Sequence, residues 1–170
     1  MSTSSTERAA NCSAISLRKA ASDDLDHIND IIAAAMDTWN LAERVKRISL
    51  PLYRYQPYDL EHLQIVIAES GGSHIVAIAA LEQSPPTDSS GEQSTSVLHG
   101  LYVDPSYHGK GIGSLLLKRM EEIAAETDTA GLLVRAQHDA VDFFAGRGFK
   151  SQPVEDHTRD YPYRLWKSFS

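Results

Sequence analysis

The chain has 170 residues, a formal net charge of −7 at pH 7 and one cysteine, Cys12. That length suits a single domain with a full core, and one cysteine excludes an internal disulfide, as expected of a protein kept in a reducing cytoplasm. No apolar run approaches the roughly 18 residues that span a bilayer, and no Lys/Arg block is long enough to track a nucleic-acid backbone, so neither a membrane nor a nucleic acid is an expected partner.

In chain order, residues 1–12 are Ser/Thr-rich without an apolar stretch. They predict a disordered tail rather than a secretory signal, ahead of a single domain over residues 13–170. Residues 14–19 alternate apolar and polar types, a strand pattern. Ser22 suits a helix cap, with Asp23 and Asp24 in the first turn. Leu25, Ile28, Ile32, Ala35 and Met36 then fall on one helical face. A second helix is predicted over residues 41–50, stopping at Pro51. Residues 52–60 predict an irregular aromatic segment holding Tyr53, Tyr55 and Tyr58.

Residues 64–69 and 74–82 are β-rich runs joined across Gly71 and Gly72, a hairpin signal. Residues 84–94, with Pro85, Pro86, Asp88 and Gly91, predict a mobile loop. A strand follows over residues 96–103. The helix predicted over residues 111–126 buries Ile112, Leu115, Leu116, Met120, Ile123 and Ala124. Residues 131–136 predict a strand and residues 138–146 a helix ended by glycine. Residues 149–151 and 161–167 predict the last strands. This order implies an α/β (α+β) mixed sheet with helices on its faces.

The chemistry concentrates in residues 97–114, where a strand runs through Asp104-Pro105 into His108-Gly109-Lys110-Gly111-Ile112-Gly113-Ser114 and a helix. A helix start leaves amides unpaired and carries positive partial charge, so it suits a phosphate. Glycines let the backbone approach that phosphate closely. Lys110 adds a charge and Ser114 a hydroxyl. The stretch is not a P-loop, because Lys110 is followed by Gly111 rather than Ser or Thr. Nor is it a dinucleotide fingerprint, which wants Gly or Ala where Ser114 stands and a place in the first βα unit.

The stretch resembles motif A of the GNAT superfamily of N-acetyltransferases, Arg/Gln-x-x-Gly-x-Gly/Ala, with His108 at the first position. Residues 140–149, Ala-Val-Asp-Phe-Phe-Ala-Gly-Arg-Gly-Phe, resemble that family's second motif, Ala-x-x-Phe-Tyr-x-x-x-Gly-Phe. The resemblance covers nearly the whole chain. It implies a GNAT-like acyl-CoA N-acyltransferase fold, a mixed sheet of about six to seven strands with about four helices. It also implies acetyl-CoA as the acyl donor. By position, main-chain groups of Leu101, Tyr102 and Val103 would face the pantetheine arm. Residues His108, Gly109, Lys110, Gly111, Ile112, Gly113 and Ser114 would hold the diphosphate. Gln137 would lie near the pantetheine, and Phe144 and Arg147 near the thioester or the nucleotide.

An alkyl amine must lose a proton before it attacks a thioester, and a proton donor helps the thiolate leave. The family often places a tyrosine donor where this chain has Phe144, which cannot donate. Free thiols ionise near pKa 8.5, so the donor is dispensable in principle; Tyr102 is the alternative. Glu82, at a strand end, and His99, within a strand, are the candidate bases. Each also reads as an ordinary surface or strand residue, and His108 reads equally as a turn residue. Trp39, Tyr53, Tyr55 and Tyr58 are candidates for an acceptor pocket or for core. The expected activity is acetyl transfer to a primary amine, a small molecule rather than a protein, without a covalent intermediate or a metal. The alternative is a catalytically weak acyl-CoA sensor. Paired sheets or a swapped last strand are routes to a homodimer.

Overall fold

The computed structural model describes residues 14–83 and 94–169. The tail expected at residues 1–12, with Cys12, and the loop expected at residues 84–94, apart from its last residue, lie outside the described residues. The elements are β1 (Ile15–Lys19), α1 (Leu25–Asp37), α2 (Glu43–Tyr53), α3 (Pro57–His62), β2 (Gln64–Ser70), β3 (His74–Gln83), β4 (Ser94–Val103), α4 (Ile112–Ala125), β5 (Thr129–Arg135), α5 (Val141–Ala145), β6 (Lys150–Ser151) and β7 (Arg164–Ser168). The strands join one seven-stranded sheet in the order β1-β2-β3-β4-β5-β7-β6. It is mixed: β1 runs antiparallel to β2, β4 parallel to β5, and β7 antiparallel to both β5 and β6. The expected α/β mixed sheet is therefore present. No helix among the described residues is long and apolar enough to cross a membrane.

The chain divides into two compact units. The first comprises Met1–Ala80 and Gly100–Lys118. Within it, Leu25, Ile28, Ile31, Ile32, Ala35 and Met36 of α1 share a core with Ile65 and Ile67 of β2 and Ile78 and Ala80 of β3. Full burial of one such side chain contributes roughly 1.5–3 kcal/mol, against a few tenths separating most helix propensities. Packing therefore outweighs propensity in holding α1.

Three local expectations in this unit are corrected. Ser22 does not cap the first helix. A 3-10 turn, Ser22–Asp24, brings the Asp24 carboxylate back to accept from the Ala21 amide at 2.7 Å. Arg18 donates to the same carboxylate at 2.8 and 2.9 Å and also contacts Glu69. Those Arg18 hydrogen bonds hold the Asp24 carboxyl below the usual carboxylate range.

Pro51 does not stop the second helix, because α2 runs through it to Tyr53. Pro51 falls in the last turn of α2, so few helical residues follow it, and Arg47, four residues back, is exposed. Residues 57–62 are helical rather than irregular. Pro57 occupies the first turn, where its missing N–H costs nothing, and Asp59 accepts from the Gln56 amide at 2.7 Å.

The second unit comprises Leu81–His99 and Arg119–Ser170. Here β5 is covered on one edge by β7, from Gly131↔Ser168 to Arg135↔Arg164. On its other edge β4 pairs with it only from Ser94↔Thr129 to Leu98↔Val134. Phe144 of α5 meets Phe149 edge-on with ring centres 5.4 Å apart, closing the core beneath the short helix.

Candidate acyl-donor and acceptor site

Where β4 ends, the Asp104 amide donates to the Val76 carbonyl at 2.8 Å, and its carboxylate caps the Ser106 amide at 2.9 Å. A 3-10 turn, Pro105–Tyr107, follows. The His108 ring nitrogen Nε2 lies 3.1 Å from the Val103 carbonyl oxygen, tying the loop to the strand end. Gly109 and Gly111 adopt φ values of 76° and 79°, which L side chains rarely take. At both, an added Cβ would meet nothing within 4 Å. Residues 108–111 are exposed, whereas Ile112 is 3% exposed and anchors the helix foot. The Leu115 amide donates to the Gly111 carbonyl at 3.1 Å. The first-turn amides of α4 sit at the positive end of its dipole. Lys110 Nζ lies 4.8 Å from the Tyr107 ring centre, beside the same loop. The loop is thus an exposed turn at a helix start, an arrangement that can receive an anion.

The two candidate bases meet each other. His99 Nε2 lies 2.5 Å from Glu82 Oε2, and both side chains remain nearly half exposed. A carboxylate at that distance fixes the orientation of the imidazole ring. Tyr102, the third catalytic candidate, is buried instead. Trp39 stacks against it with centroids 6.4 Å apart, and Tyr55 shares its core cluster. Burial pushes the Tyr102 hydroxyl far above the ordinary phenol range, and Tyr55 and Tyr53 add to the shift.

Residues 30–149 match the acetyltransferase (GNAT) family. The chain belongs to that family. Solved structures share its fold. The PaiA N-acetyltransferase of Thermoplasma acidophilum, in complex with coenzyme A, aligns with a TM-score of 0.74 at 16% identity over 91% of this chain and 99% of that one. A GCN5-related N-acetyltransferase from Rhodopseudomonas palustris gives 0.72 at 21% identity, over 91% and 95%. A GNAT family acetyltransferase from Brucella melitensis, in complex with acetyl-CoA, gives 0.63 at 18% identity, over 92% and 88%.

In this GNAT chain the second motif is packed from within. Phe144 is 4% exposed and lies edge-on between Phe143 and Phe149, at 5.1 and 5.4 Å. Arg147 is exposed but folds back on its own helix: its guanidinium lies 3.8 Å from the Phe143 ring centre and donates to the Phe143 carbonyl at 2.8 Å. Gln137 is half-buried, and its carbonyl accepts from the Ala140 amide at 2.9 Å. Tyr58 is 67% exposed and pairs with His62, outside the aromatic cluster. The sequence offered Glu82 and His99 as separate candidates 17 residues apart. Their union depends on the register of β3 and β4, which alternation alone does not give. It also missed that Gly100 lies beneath Tyr55 and Tyr102. A glycine inside a strand is the signal for such a close approach.

Proposed function

We propose that this acetyltransferase moves an acetyl group from acetyl-CoA to the primary amine of a small molecule, by direct attack while both are bound. The carrying observation is the exposed glycine loop of residues 108–111 at the start of α4, directly after a strand whose pairing with β5 ends at Leu98. Bound acetyl-CoA would supply an activated thioester carbonyl. The amides of residues 109–114 hold its diphosphate, and Lys110 adds a charge. Main-chain groups of Leu101 and Val103 pair with the pantetheine arm as an added strand would. His108, bonded to the Val103 carbonyl, fixes the loop against the strand rather than gripping phosphate.

His99, oriented by Glu82, takes the proton from the acceptor ammonium. The thiolate, with a free-thiol pKa near 8.5, leaves without a side-chain donor: that role is closed to Phe144, and Tyr102 is buried in the aromatic cluster. The half-buried rings of Trp39 and Tyr53 suit a small acceptor. Incubation with acetyl-CoA and a panel of primary amines tests this, with free thiol and acetylated amine as readouts. Both products should appear in equal amount. His99→Ala should lower kcat about 100-fold or more while the KM for acetyl-CoA holds. Tight acetyl-CoA binding with no amine acetylated would overturn this reading in favour of an acyl-CoA sensor, the role that Phe144 in the donor's place suggests.

A further inference from the structure

Tyr55 and Tyr102 are 8% and 7% exposed, yet neither hydroxyl has a hydrogen-bond partner among the described residues. No described side-chain nitrogen or oxygen that is closed off from solvent lacks a partner. Tyr55 is placed through its main chain instead. Asn29 Nδ2 donates to the Tyr55 carbonyl at 3.0 Å, and the Tyr55 amide donates to Asn29 Oδ1 at 2.9 Å. Both phenols lie over Gly100, where an added Cβ would fall 2.4 Å from Tyr102 Cε2 and 2.8 Å from Tyr55 Oη. Trp39 stacks on Tyr102 at 6.4 Å with its plane inclined by 29°, and Tyr53 meets Trp39 edge-on at 5.6 Å.

This set is rich in aromatic faces, which attract cations, and in oxygen lone pairs, which accept from N–H groups. Burial keeps both hydroxyls neutral, and the charge acting on Tyr55 is the Asp59 carboxylate. An anionic ligand would meet negative ring faces and that carboxylate, so the chemistry favours a cation.

We propose that Trp39, Tyr53, Tyr55 and Tyr102 form a subsite for a positively charged nitrogen of the acceptor, separate from the amine that receives the acetyl group. The acceptor class is then an amine with a second cationic centre, such as a diamine or an aminoalkyl quaternary ammonium compound. As an acceptor subsite this rests on the transferase reading above; as a cation site it stands without it.

The chain has two tryptophans, Trp39 and Trp166, so a Trp166→Phe background leaves Trp39 as the only fluorescent indole. Titration with choline and with its neutral isostere 3,3-dimethyl-1-butanol should show choline bound about tenfold more tightly. Tyr55→Leu and Tyr53→Leu should each reduce that preference about threefold or more, by removing a ring face. In turnover, a trimethylammonium group on a primary amine should lower its KM about three- to tenfold without changing kcat. Equal binding of the two probes overturns the proposal, as does a preference unchanged in both tyrosine variants. Preferential choline binding with no amine acetylated leaves the cation site standing and removes the transferase reading instead.

Discussion

At Gly109 and Gly111 an added Cβ meets nothing within 4 Å, whereas at Gly100 it meets Tyr102 Cε2 at 2.4 Å and Tyr55 Oη at 2.8 Å. The loop needs glycine for its positive φ and keeps the space beside it open. The strand needs glycine because two phenol rings already fill that space. An anion nest is made of backbone with room around it, so its chemistry is the same whatever side chains surround it. An aromatic subsite is made of side chains pressed together, so its chemistry depends on which rings the fold delivers.

Gly111→Asp tests the open side of this contrast and carries the largest expected effect. It places a carboxylate where the diphosphate belongs and should weaken acetyl-CoA binding about 100-fold by calorimetry, the loss of one or two charge-assisted hydrogen bonds. The far-UV circular dichroism should be retained, because the added Cβ meets nothing within 4 Å and Asp is among the residues that tolerate a positive φ. Unchanged affinity in a folded variant would break the nest interpretation.

Gly100→Ala tests the filled side. It should leave the diphosphate loop intact but cost about 1–3 kcal/mol of stability through overpacking, read as a lowered melting temperature. A melt identical to the wild type would show that the phenols shift freely, and the contrast with the loop would fail.

The smallest effect concerns the scaffold of the aromatic region. Asp24 ends the 3-10 turn into α1, the helix that carries the Asn29 clamp on Tyr55. Its carboxyl is held below the usual range by Arg18, so the folded state favours the charged form. That contribution is fully present above the unfolded carboxylate range, near pH 4, and is lost as pH falls through the lower folded value. Asp24→Asn should therefore cost at most about 1 kcal/mol at pH 7, since Arg18 is largely solvated. Its urea midpoint should also fall less steeply than the wild type's between pH 5 and pH 2. An equal slope in both proteins would remove Asp24 from the account.

The loop at 108–114 was legible because each part of it is local: a turn proline, glycines at fixed offsets, and an apolar period of 3.6 in the helix that follows. Most strand boundaries were legible for the same reason, within one to three residues. Pro51 misled because it falls in the last turn of α2, where few helical residues follow it. Ser22 was read as the cap, but the chain enters α1 through a 3-10 turn whose cap position is Ala21; Asp24 is the first-turn charge the sequence indicated and accepts from the Ala21 amide.

By itself the sequence determined the glycine loop ahead of α4, the mixed sheet and the family, since these follow from backbone preferences and periodicities that operate over a few residues. Only the tertiary structure decided that Glu82 and His99 form one pair, and that Tyr102 joins Tyr55 over Gly100 instead of facing open solvent. Those outcomes depend on strand register and on which rings share a core, and both are set by contacts between residues far apart in the chain.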